Sequence, residues 1–168
     1  MSLSMYDASV PVFARALGVL SKLLEKGEAH AAAKGTALSD LLEARLAPDM
    51  YPLTRQVQAA CDAAKFGSAR PAGVTPPGNP DTETTLAELQ ARIKTTLDFI
   101  NGIDKAAFAD AATRAVTVKT GNGELNFTGK DYLLGFALPN FFFHVVTAYD
   151  ILRHKGVEVG KRDYLGLS

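Results

Sequence analysis

Asn140 and His144 stand four residues apart in an otherwise apolar run, Leu138-Pro139-Asn140-Phe141-Phe142-Phe143-His144. In a helix this spacing puts both on one face. An amide and an imidazole together can donate and accept hydrogen bonds, and the imidazole can also exchange a proton near neutral pH. Two arrangements suit such a pair. It forms a polar cluster at the mouth of, or within, a helical bundle that binds a ligand between helices, or the two side chains satisfy each other and the carbonyls freed by Pro139. Gln56 lies beside an apolar stripe containing Leu53 and Val57, where a buried amide needs a hydrogen-bond partner. Asp49, a short way upstream, has the side chain and position of a helix N-cap. Asn140 and His144 are the candidate pocket residues that this spacing gives.

The other reactive types read as structural. His30 lies in an alanine-rich, polar run and is expected on the surface, while His154 precedes Lys155 and Gly156 at a helix end, where cations complement the dipole. Cys61 is the single cysteine. It has no basic neighbour in sequence to lower its pKa, so it is read as a core residue rather than a nucleophile. Gly121-Asn122-Gly123 leads into a strand pattern, not a helix, so it is no phosphate loop. Neither a nucleophile elbow nor paired-cysteine metal spacing is present.

Four long amphipathic segments must position the candidates. Tyr6, Val10, Phe13, Leu17, Leu20 and Leu24 step by three and four, which predicts a helix over residues 9 to about 33. Pro11 falls in its first turn, Asp7 or Ser9 is placed to cap it, and Gly35 stops it. Leu38, Leu41, Leu42 and Leu46 make a short second stripe that Pro48 interrupts. Asp49 then caps a helix carrying Leu53, Val57, Ala60 and Ala64, with an expected end near Gly67. Residues 67–82 hold four of the eight prolines and read as a surface loop. Thr85 and Glu88 form a capping box for a third helix, on which Leu86, Leu89, Ile93, Leu97 and Ile100 share a face until Asn101-Gly102. Asp104 caps a short turn. Val116 and Val118, then Leu125 and Phe127, alternate with polar residues on either side of a glycine turn, a hairpin pattern. The last helix starts at Thr128 with Asp131 as capping acid. Its expected face is Tyr132, Phe136, Pro139, Phe143, Val146, Tyr149 and Leu152, with a break or kink at Pro139. Residues 157–168 show no period. Phe141, Phe142 and Phe143 point three ways around a helix, so one of them is expected to meet a second surface, such as a dimer partner or the proline-rich loop.

The chain has 168 residues, 47% of them hydrophobic, which suits one mainly helical domain over residues 1–168: a four-helix bundle with a small hairpin before the last helix. Eighteen basic and eighteen acidic residues cancel, so the electrostatic footprint of a nucleic-acid binder is absent and no nucleic-acid partner is expected. Residues 1–7 carry no basic region followed by an apolar run, so no signal peptide is expected. The most apolar helical stretch, residues 133–146, is broken by Gly135, Pro139, Asn140 and His144, so no membrane span is expected. With a lone cysteine, the expected location is the cytoplasm.

The closing segment, Leu138-Pro139-Asn140-Phe141-Phe142-Phe143-His144 with Ile151-Leu152-Arg153-His154-Lys155-Gly156, resembles the last helix of the DinB/YfiT-like superfamily, and more narrowly a branch known only as a domain of unknown function. Leu46-Ala47-Pro48-Asp49-Met50, Arg55-Gln56-Val57-Gln58 and Gly160-Lys161-Arg162-Asp163-Tyr164 support it. The resemblance implies an antiparallel four-helix bundle, often a homodimer. It also implies a divalent metal, zinc or nickel, held by three histidines in many members, some of which carry out thiol-dependent transferase or isomerase chemistry. Carried over by position, the histidines become Gln56, Asn140 and His144, so His144 alone keeps the expected ligand type, and Asp49 is a substitute donor. Neutral amides are weak donors for zinc or nickel. The implied function is a polar small-molecule pocket with a degenerate metal-dependent, thiol-linked transferase or hydrolase-type site. The alternative is a non-catalytic ligand-binding or dimeric scaffold protein that has lost the metal.

Overall fold

The computed structural model describes residues 3–121 and 123–167; Asn122, in the predicted glycine turn, lies outside them. Helix α1 (Val10–Lys34) buries Val10, Phe13, Leu17, Leu20 and Leu24, and Gly35 ends it in the left-handed region at φ 63°. Neither predicted cap operates. The chain before it is already turned, so the Ser9 hydroxyl meets a carbonyl and donates to Met5 O at 2.7 Å, and Asp7 accepts from the Ser4 hydroxyl at 2.6 Å.

Helix α2 (Leu38–Leu42) is shorter than its stripe, leaving Leu46 exposed. Pro52, not Asp49, occupies the N-cap of α3 (Leu53–Ala72). This helix passes Gly67 and stops at Gly73, whose φ of 70° suits a glycine C-cap. Gly67 is therefore a contact rather than a terminator: a Cβ there would lie 2.6 Å from the Phe13 ring, so the missing side chain lets α1 and α3 approach.

Helix α4 (Leu86–Asn101) opens with the predicted capping box and buries Leu86, Leu89, Ile93 and Ile100. Asp104 accepts from Ala106 N–H at 2.9 Å and starts a short 3₁₀ turn, Lys105–Phe108. Strands β1 (Ala115–Thr120) and β2 (Gly123–Thr128) pair antiparallel, Val116 and Val118 facing the core.

The final helical run comprises α5 (Gly129–Tyr132), a π turn (Leu133–Ala137) and α6 (Leu138–His154). Thr128 Oγ1 accepts from Asp131 N–H at 3.2 Å, as the sequence predicts. The break expected at Pro139 does not occur. The π turn just before it, with Leu138 N–H bonded to Leu133 O, widens the helix where the proline ring would otherwise meet the carbonyl of Gly135. The turn also alters the register. Tyr132 and Leu152 of the predicted face are buried and Phe136 and Tyr149 half-buried, but Pro139, Phe143 and Val146 are exposed, and Leu133, Ala137, Phe141, Val145, Ala148 and Ile151 are buried in addition. The unpatterned tail contains a short helix, α7 (Lys161–Tyr164), whose Asp163 pairs with Lys26 of α1.

Helices α1, α3, α4 and α6 form a four-helix bundle. α3 packs mainly on α6 and α4, and α1 on α4 and α6. Phe13 of α1 meets Phe141 of α6 edge to face at 4.9 Å. The run Gly129–His154 is long and apolar enough to cross a membrane by length and composition, but here it supplies a wall of the core.

Two glycines calibrate this packing. A Cβ at Gly129 would fall 1.9 Å from the backbone oxygen of Ala111, and a Cβ at Gly18, inside α1, would meet nothing within 4 Å. Gly129→Ala should lower unfolding stability by about 3 kcal/mol, because no side chain can move aside. Gly18→Ala should raise it by up to about 1 kcal/mol through helix propensity. Urea denaturation of the two variants checks both signs.

Candidate functional site

The seam between α3 and the final helical run carries the polar groups. Helix α3 presents Arg55, Ala59, Asp62, Phe66 and Arg70 at steps of three and four. Tyr132, Phe136, Asn140 and His144 face them at steps of four. Together they line an open cleft of about 260 Å³. The helices run antiparallel there, so Arg55 faces His144 at one end and Arg70 Nη1 donates to Tyr132 Oη at 3.0 Å at the other.

His144 Nδ1 lies 2.8 Å from Oε1 of buried Gln56. The Gln56 amide is oriented by its other end, where Nε2 donates to Tyr51 O at 3.2 Å. Oε1 is therefore the acceptor, Nδ1 carries the proton, and Nε2 keeps a lone pair with no hydrogen-bond partner among the described residues. Tyr51 stacks on the imidazole with centroids 6.5 Å apart and 15° between planes, and Arg55 sits 5.5 Å over the other ring. Burial first, and the Arg55 charge second, hold the His144 pKa below its ordinary value. The site thus presents a neutral imidazole, oriented by Gln56.

The four sequence candidates separate. Gln56 and His144 come together, Asn140 lines the cleft from an exposed position without pairing with His144, and Asp49 is exposed in the loop before α3 and does not line the cleft. Half-buried His30 lines a different concavity, of about 520 Å³, with Lys34 and Lys155. A groove of about 430 Å³ between α1, α6 and α7 is mostly apolar. The seam is smaller than either, and it is where polar side chains converge.

Sequence reasoning missed an ion network behind the cleft. Arg92 of α4, its side chain 1% exposed, bonds Asp62 (3.0 Å), Asp81 (2.9 Å) and Glu83 (3.0 Å), leaving only Nε without a partner. Lys65 pairs with Asp62 at 2.9 Å, and Arg55 pairs with Asp81. Gln58 bridges Arg55 and Glu83 at 3.2 and 2.9 Å. The network pins the proline-rich loop to α3 and α4. Its signal in the sequence is Arg92 and Thr96 falling on the apolar stripe of Leu89, Ile93 and Ile100, a position where a charge needs a partner.

The donor set does not fit a zinc or nickel ion. One imidazole meets two amides, no group of three His, Cys, Asp or Glu side chains converges among the described residues, and the carboxylate in the cleft, Asp62, is held by Lys65 and Arg92. Arg55 adds a repelling charge. Cys61 supplies no thiolate: burial pushes its pKa up to about 12.

The family described as a domain of unknown function, DUF1993, matches residues 5–165. A crystal structure of a DinB family member protein from Shewanella denitrificans is similar, with 47% sequence identity and a TM-score of 0.91. The match covers 96% of this chain and 91% of that one. No curated protein matches this sequence.

The lowered pKa fixes a sign. Well above pH 6.5 the ring is neutral in both folded and unfolded chains and contributes nothing. As pH falls below that value the unfolded chain takes the proton first, so stability drops until the folded pKa is reached. Wild type should lose stability in this window relative to His144→Gln, as read by urea midpoints. An NMR titration should place the His144 midpoint below 6.5, and Arg55→Gln should move it upward.

Proposed function

The chain belongs to the DUF1993 family of DinB-like proteins, and on that premise we propose that it binds a small molecule, without a resident metal, in the cleft between α3 and the final helical run. The observation that carries this reading is the Gln56–His144 hydrogen bond. An imidazole that ligates a metal through Nε2 gains when its Nδ1–H is held by an acceptor. Here, though, the remaining donors are amides and the neighbouring charges are positive, so the same oriented lone pair serves as a hydrogen-bond acceptor for a ligand. Asn140 adds an exposed amide on the same face, and Phe66 and Phe136 offer apolar walls.

The low proton affinity of His144 favours a second, catalytic reading. A ring that stays neutral near pH 7 is competent to take a proton from a bound substrate as a general base. The exposed Phe143 and Val146 on α6 support a homodimer, since apolar area of this kind is covered in assemblies.

Two measurements test the reading. Purified protein equilibrated with zinc or nickel and dialysed should retain well under one ion per chain, with no change in His144→Ala; a full equivalent that this substitution removes would overturn it. An NMR fragment screen should give hits that shift the His144 ring and Gln56 amide signals together. A library that never perturbs the seam would count decisively against a pocket.

A further inference from the structure

The charges around the cleft do not cancel. Arg55, Lys65 and Arg92 are matched by Asp62, Asp81 and Glu83, one carboxylate for each cation. Arg70 stands outside this balance: among the described residues no carboxylate lies within ion-pair distance of it. Its guanidinium is instead held by aromatic rings, 4.6 Å from the Phe66 centroid and 5.5 Å from that of Tyr132, with Nη1 on the Tyr132 hydroxyl at 3.0 Å. Phe66 covers the guanidinium from one side and the Tyr132 hydroxyl takes one N–H, which leaves the other N–H groups available to an oxyanion. One of its five N–H donors is engaged by Tyr132.

From this geometry we infer that the cleft selects a small organic oxyanion, a carboxylate or phosphate monoester on an apolar body, with Arg70 as its anchor. The inference rests on the pocket reading above and adds the ligand class. The body lies against Phe66 and Phe136, which line the cleft next to Arg70 and Tyr132. Asp62 also lines the cleft, but its Oδ1 is shared by Lys65 and Arg92, which offsets its charge toward an incoming anion. Among the described residues Arg70 belongs to no ion pair that binding must break, so the ligand meets a cation already positioned by Phe66 and the Tyr132 hydroxyl.

Phenyl phosphate, benzoate and the neutral benzamide, titrated into wild type, Arg70→Gln and Arg70→Lys with calorimetry and NMR of the Tyr132 and His144 signals, test the assignment. At least one anion should bind wild type about tenfold more tightly than benzamide, and Arg70→Gln should erase that preference. Arg70→Lys, which keeps the charge and loses the planar fork, should fall between. It also serves as the second probe if the glutamine variant unfolds. Whether phenyl phosphate or benzoate binds better decides between phosphate and carboxylate. Benzamide binding as well as the anions, or anion affinity indifferent to both substitutions, overturns the oxyanion inference and leaves the pocket standing. Failure of all three compounds to perturb the seam overturns both.

Discussion

Pro139 has no N–H, and its ring claims the space of a carbonyl four residues back. The helix that contains it must also stay continuous, because Phe141, Val145, Ala148 and Leu152 beyond it form a wall of the core. The π turn Leu133–Ala137 meets both demands. It absorbs the proline without ending the helix, and in doing so rotates everything after it relative to an unbroken α-helical register. That rotation turns Phe143 and Val146 outward and sets His144 against Gln56. π turns inside α-helices are found often at functional sites. Here the backbone adjustment and the polar seam are one feature, since Phe136 of the seam lies within the adjusted stretch and Tyr132 and Asn140 stand on either side of it.

A second constraint comes from burying charge. A guanidinium as enclosed as that of Arg92 is tolerable only when carboxylates surround it. Asp62, Asp81 and Glu83 come from α3 and the proline-rich loop, so satisfying Arg92 also determines where that loop lies. The consequence reaches the cleft. Asp62 is neutralised from behind, Arg55 is drawn toward Asp81, and Arg70 stays unbalanced. The resulting field suits an anion and disfavours a divalent cation, and the amides of Gln56 and Asn140 are weak metal donors.

Much of the architecture was legible from periodicity. The stripes of α1, α3 and α4, the Thr85–Glu88 box, the Asp104 cap and the hairpin alternation are local features, set by contacts between residues a few positions apart, and the structure reproduces them. The DinB-like resemblance rested on equally local strings, and the family match agrees with it. Errors arose where a residue's local preference met a tertiary demand. Gly67 looked like a stop, yet it admits the Phe13 ring. Asp49 looked like a cap, yet Pro52 took the position. The final stripe was read through Pro139 with a constant period that the π turn does not keep.

Sequence alone therefore determined the main helices, the hairpin, the bundle class and the candidacy of Asn140 and His144, because side-chain polarity and spacing carry that information within single helices; the candidacy of Gln56 came from the family resemblance. Only the tertiary structure decided which nitrogen of His144 is free, that Asn140 and Asp49 do not pair with it, and that Arg70 has no counter-charge among the described residues. Those properties depend on pairings between residues tens of positions apart, such as Gln56 with His144 and Arg70 with Tyr132. No local pattern specifies such pairings; they follow from packing one helix against another.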